Sequence, residues 1–271
     1  MEKIRGLNKA QLQIIAVIGM TIDHASFLMP TLFWFYACKF IGKITIVTMC
    51  FFVAEGYHRT HNIKRYILRM MIFAAAAELP FFLFEKYGSL PGDPIGWIRG
   101  MYHCKNVIFT LLIGLCLLTV LKSKCHIVFK ILAIPVAWFL MKGSDWRYYG
   151  ALWVLAFGLF RGSKKRQFIA AAVIAFCRFM KFFVPIIILF AQAYLPQSGA
   201  LTLFIKAARH INSGDATYSS LYASITQLGL FLPLVMLWWY NGKKGNAPRL
   251  LFYIYYPAHL LVLFLIKVIL F

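Results

Sequence analysis

The residues best equipped for chemistry are ionisable groups set inside stretches built for lipid. Thr21-Ile22-Asp23-His24 lies in an apolar run from Ala10 to about Phe33. A charge at the centre of such a run costs roughly 2.5–3.5 kcal/mol on insertion scales, so it persists where partners or a function offset that cost. Neighbouring helical residues point about 100° apart, so Asp23 is badly placed to orient His24, and each needs a partner from another helix. Glu78, in Glu78-Leu79-Pro80, and His259, in Tyr255-Tyr256-Pro257-Ala258-His259, are further titratable groups in apolar spans. By helical rise, His24 stands roughly 18 Å above Leu12, Glu78 roughly 18 Å above Tyr66, and His259 roughly 14 Å above Leu250. All three reach the middle of a ~30 Å hydrocarbon core.

Two midplane histidines suit acyl transfer. A neutral imidazole takes the proton of an attacking amine or hydroxyl, or carries the acyl group itself. Asp23 or Glu78 would fix the tautomer of a histidine on another helix. His24 is the expected base or acyl carrier. His259, one turn from Tyr255, suits orienting a thioester or stabilising its oxyanion.

A second group gathers at a helix end. Glu55, His58 and Arg59 fall at i, i+3 and i+4, and Arg65 and Arg69 at i and i+4. Such a basic corner suits phosphate, because arginine offers a planar fork of donors. Lysine and arginine beside membrane helices also set topology and touch lipid headgroups. Asn106 and Thr110 share one helix face at i and i+4. Packing is the first account of Asn106, Tyr255 and Tyr256 taken singly. A basic mouth leading to a midplane of histidines and carboxylates fits a long anionic donor with a reactive far end.

These residues need membrane helices to position them. The 271 residues are 62% hydrophobic, with 29 Lys and Arg against 8 Asp and Glu. The mean hydropathy is +0.74, more apolar surface than a soluble domain hides. The expectation is one all-α polytopic domain over 1–271, without a cleavable signal segment. Apolar runs near 10–31, 38–57, 66–84, 106–121, 126–141, 148–160, 167–191, 218–240 and 250–271 predict about nine transmembrane helices. Roughly twice as many Lys and Arg fall on one set of connections as on the other, which predicts the N-terminus inside and the C-terminus outside. Residues 85–105 read as turns capped by an interfacial aromatic, and 195–217 as a polar outer segment.

The six cysteines show neither paired nor metal-ligand spacing, so neither disulfides nor a bound metal are predicted. No polar basic domain is present to hold nucleic acid, and no phosphate-binding or dinucleotide motif appears. Two rival readings stand beside acyl transfer. One is a proton-coupled transporter or channel for an organic anion, with Asp23, His24 and Glu78 as the relay, although no inverted repeat is visible. The other is a non-enzymatic assembly or immunity-type membrane protein, which leaves the histidines unexplained.

The chain also resembles a known family through most of its length. The motifs run from Leu12-Gln13-Ile14-Ile15-Ala16 and Ile22-Asp23-His24 through Phe40-Ile41-Gly42-Lys43 and Ala54-Glu55-Gly56, with Thr60, Tyr66 and Arg69. They continue in Glu78-Leu79-Pro80-Phe81, Asn106-Val107-Ile108-Phe109-Thr110, Tyr149-Gly150 and Tyr256-Pro257-Ala258-His259-Leu260. In this order they resemble the TraX-type pilin acetyltransferases. The resemblance implies a multi-pass enzyme of the bacterial cytoplasmic membrane that uses acetyl-CoA, with a pilin N-terminus as the known type of acceptor. It also suggests kinship with membrane acyltransferases that modify sugars and lipids outside the cytoplasm. The expected catalytic set is then His24, Asp23, His259 and Glu78. The expected donor-binding set is Glu55, His58, Arg59, Arg65, Arg69, Asn106, Thr110 and Tyr256. The expected partners are acetyl-CoA, membrane lipid and a peptide, protein or glycan acceptor.

Overall fold

Local signals start most of the helices. In the computed structural model, which describes residues 6–86, 90, 92–194, 218–246 and 251–271, Asn8 and Gln11 exchange side-chain and backbone hydrogen bonds of 2.9 Å. That capping box satisfies two otherwise orphaned amides and opens α1, Lys9–His24, which runs on into a 3-10 turn, Ala25–Leu28. Thr31 caps α2, Leu32–Arg59, and Asn62 caps α3, Ile63–Glu85. Asp93 and Pro94 start α4, Pro94–His103, so the segment expected to be all turns contains a helix. An acidic cap before a proline at the first helical position is the signature that the turn reading overlooked.

Asn106 caps α5, Val107–Lys122, and His126 caps α6, Ile127–Leu140. There follow α7, Arg147–Leu159, α8, Lys164–Tyr194, and α9, Tyr218–Gln227. A 3-10 turn, Leu228–Phe231, joins α9 to α10, Leu232–Trp238. The last helix is α11, Leu251–Leu270. The 195–217 segment lies outside the described residues.

Among the described residues six helical stretches are long and apolar enough to cross a membrane. The nine expected spans are found as apolar helices, but α5, α6 and α7 have only 16, 14 and 13 residues. At 1.5 Å per residue these are about 24, 21 and 20 Å long, short of a ~30 Å core. On α6 the large apolar side chains from Ile127 to Leu140 are exposed and Ala137 alone is buried, the pattern of a lipid-facing helix.

Hydrogen bonds among helix ends and the loops beside them define two ends of the bundle. At the basal end, Lys9 N and Ala10 N donate to Lys243 O and Lys244 O, and Asn241 N donates to Leu7 O. At the far end, Asp145 N donates to Lys105 O and Lys267 Nζ to Phe84 O. The start of α1 is basal and the end of α11 is far. Between them one core, including Leu12, Met70, Phe82, Leu115, Trp153 and Leu260, joins α1, α3, α5, α7 and α11. Gly42 lets α1 and α2 close on each other, since a methyl group there would overlap Asp23.

Candidate active site

A cavity of about 340 Å³ runs between α1, α2, α3, α5 and α11. Helical periodicity builds its walls: α1 contributes Lys9, Gln13, Met20 and His24, spaced as one face, and α2 contributes Gly42, Thr45, Ile46, Met49, Phe52, Val53 and Gly56. From Lys9 to His24 the α1 wall is about 22 Å long. Its basal mouth carries Lys9, Lys244, Thr60 and Arg69, with Tyr66 and Tyr253. Arg69 lies over both rings, 5.4 and 5.8 Å from their centroids. The far end is closed by Asp23, His24, Asp145 and Trp146.

The two expected histidines meet. His259 Nε2 is 3.1 Å from His24 Nδ1, and His259 Nδ1 is 3.0 Å from the Tyr255 carbonyl oxygen. A carbonyl can only accept, so Nδ1 of His259 carries the proton and, in the neutral ring, Nε2 accepts from His24 Nδ1–H. His24 Nε2 is then the bare nitrogen, on the side chain that lines the cavity. His259 is 6% exposed and does not line it. It therefore orients His24 rather than a ligand, which corrects the expected contact with the thioester. Thr21 gives its proton to Val17 O at 2.9 Å and receives the Tyr255 hydroxyl at 2.7 Å, tying α1 to α11 beside the pair.

Asp23 does not contact a histidine on another helix. Its partner is Lys39, 3.3 Å away on α2, whose ammonium also reaches the Asp23 carbonyl at 3.0 Å. Lys39 was legible as a cation in an apolar run, by the rule that singled out Asp23. Glu78 is placed elsewhere: its carboxylate accepts from Asn106 Nδ2 at 2.6 Å and Asn106 N at 3.3 Å. Asn106 is fully buried, caps Ile108 and Phe109, and also reaches Ala74 O at 2.8 Å. Glu78 and Asn106 fix the start of α5 and do not line the cavity. Thr110 likewise is turned to the Asp145 carbonyl.

Of the expected donor-binding residues, Arg69 and Tyr256 line the cavity. Arg59 is held by Glu55 at 2.8 Å and by Gly242 O at 3.1 Å. The same Glu55 oxygen accepts from Tyr240 at 2.8 Å. Burial, reinforced by that bond, holds the Tyr240 phenol well above its ordinary pKa. This cluster seats residues 240–246, and with them Lys244, over the mouth. His58 instead bonds Gly158 O at 2.9 Å on α7, and Arg65 is exposed off the cavity.

Asp145 was not foreseen, because an acid in a short turn is ordinarily a helix cap. Burial pushes its carboxyl up to about 6, with Asp23 adding to the rise and Lys43 and Arg178 opposing it. Both cations lie over the indole of Trp146, Lys43 at 4.8 Å and Arg178 at 4.4 Å from its centroid. Arg178 also donates to Gln227 at 3.1 Å.

The fold and site define an all-helical membrane protein with a largely apolar chamber that joins a cationic mouth to His24, the cavity-facing member of a histidine pair. The model of the TraX protein family matches residues 8–267, and the chain belongs to that family. It is also similar to a probable fimbrial assembly protein FimC, serogroup H1, of Dichelobacter nodosus, 29% identical over 261 residues and covering 93% of each chain. No solved structure matches.

Proposed function

We propose that this protein is a membrane acetyltransferase that takes acetyl from acetyl-CoA and passes it to an amine or hydroxyl acceptor. One observation carries the reading: a single cavity connects Lys9, Lys244 and Arg69 at its mouth to His24 at its far end. The cations suit the phosphates of the donor, and the chamber between them, walled by Met49, Phe52, Val53 and Met70, suits its pantetheine arm. His24 Nε2 takes the proton of the attacking group as the new bond forms at the thioester carbon. As the C–S bond breaks, the same proton goes to the departing sulfur. The basal end then faces the cytoplasm, where the donor is made, in keeping with the Lys and Arg distribution. The fimbrial name of the similar protein favours a pilin subunit's N-terminus as acceptor.

The test is purified protein with labelled acetyl-CoA, alone and with an unblocked pilin-like peptide. Label in the peptide is expected, and a His24→Ala variant should bind acetyl-CoA but transfer at least about a hundredfold more slowly. Uptake of the anion into proteoliposomes without any acetylated product would favour a transporter instead.

A further inference from the structure

We infer that Asp145 receives the nucleophilic N–H or O–H of the acceptor, at the end of the chamber opposite the cationic mouth. The inference rests on the acyl-transfer reading and adds the residue that meets the second substrate. Six acids lie among the described residues: Asp23, Glu55, Glu78, Glu85, Asp93 and Asp145. Asp23 is paired with Lys39, Glu55 with Arg59, and Glu78 with Asn106. Glu85 and Asp93 are exposed at the far surface, where Asp93 caps α4. Of the described acids, Asp145 alone lines the cavity without a side-chain hydrogen bond or an ion pair among the described residues. Its carboxylate is therefore free to accept a hydrogen bond from a ligand that enters the chamber.

Its backbone is fixed more firmly than a turn requires. Asp145 N donates to Lys105 O at 2.8 Å, and Thr110 donates to the Asp145 carbonyl. The next two residues, Trp146 and Arg147, have φ of 61° and 41°, a left-handed conformation that bulky side chains rarely adopt. Such strain persists where the surroundings hold a side chain in one place. Lys43 and Arg178, against the Trp146 ring, favour the ionised carboxylate, yet neither forms an ion pair with it.

The chemistry follows from the two ends. Donor phosphates at the mouth leave the opposite side of the thioester for the acceptor. Asp145 accepts a hydrogen bond from the attacking nitrogen or oxygen and so aims its lone pair at the carbonyl carbon. The C–N or C–O bond forms, the C–S bond breaks, and the proton travels through His24 Nε2 to the sulfur. Asp145 stays unprotonated throughout.

The experiment compares wild type, Asp145→Asn and Asp145→Glu with acetyl-CoA and two probe acceptors, a short unblocked peptide and a monosaccharide. Asp145→Asn should keep its acetyl-CoA affinity by calorimetry while KM for the acceptor rises at least about tenfold. Asp145→Glu should recover part of the loss. The probe that wild type acetylates tells an amine acceptor from a hydroxyl one. An unchanged acceptor KM in Asp145→Asn overturns the assignment while leaving the acetyltransferase reading intact. So does weakened acetyl-CoA binding by folded Asp145→Asn, or failure of both variants to fold, which would make the residue structural. Acetyl-CoA binding by wild type with transfer to neither probe also removes the acceptor role. Wild type that binds no acetyl-CoA fails the acetyltransferase reading itself.

Discussion

His24–His259 and Glu78–Asn106 are two polar pairs built alike, each joining residues far apart in the chain across helices that share the core. They differ in what they leave over. In the first, the Tyr255 carbonyl fixes one proton and the chain of bonds ends on an open nitrogen at the cavity. In the second, the carboxylate is drawn into the amide and side chain of Asn106, and the pair anchors the first turn of α5. Partner geometry therefore separates a group left open to a ligand from one whose bonds are spent on structure, where depth in the membrane does not.

The largest test of that contrast is at the open nitrogen. His24→Ala should lower acetyl transfer by on the order of 10²–10⁴-fold, the usual contribution of a general base, with acetyl-CoA affinity kept. Wild-type turnover in this variant would end the distinction between the pairs. His259→Ala should cost less, roughly 10–100-fold, as for other hydrogen-bond partners that orient a reacting ring. Measured kcat should fall with little change in the KM for acetyl-CoA, and His259→Gln should restore part of it. A loss equal to that of His24→Ala would mean that both rings act on the substrate.

Glu78→Ala should do the opposite. Losing its bonds to Asn106 should cost about 1–3 kcal/mol of stability, seen as a lower unfolding midpoint in detergent. Activity per folded molecule should be unchanged, and a specific loss of transfer would bring Glu78 back into the chemistry. The smallest expected effect separates the two arginines of the basal end. Arg69→Ala should weaken acetyl-CoA binding by about tenfold, within the range for one charge-assisted bond. Arg59→Ala should change it less, since Glu55 and Gly242 already hold that guanidinium. Calorimetry giving the reverse order would move the phosphate site to Glu55 and Arg59.

Much of this was legible in residue order. Hydropathy fixes the apolar helices because a bilayer satisfies no backbone polar group, so each long apolar run must close its own hydrogen bonds. Asn8, Thr31, Asn62 and Asn106 mark helix starts because their short side chains reach amides two or three residues on. The cost of an ionisable group in lipid singled out Asp23, His24, Glu78 and His259 before any of their contacts were visible.

The partners were not legible. Asp23 finds Lys39 on the next helix, His24 finds His259 at the other end of the chain, and Glu78 finds Asn106 instead of a histidine. Asp145 looks like any turn acid until α5 and α7 carry it to the end of a chamber walled by α1 and α2. Periodicity tells which face of a helix is polar, but not which other face it meets. That choice belongs to the packing of all the helices at once, because a buried charge is stabilised only by the groups that three-dimensional contact brings within a few ångströms.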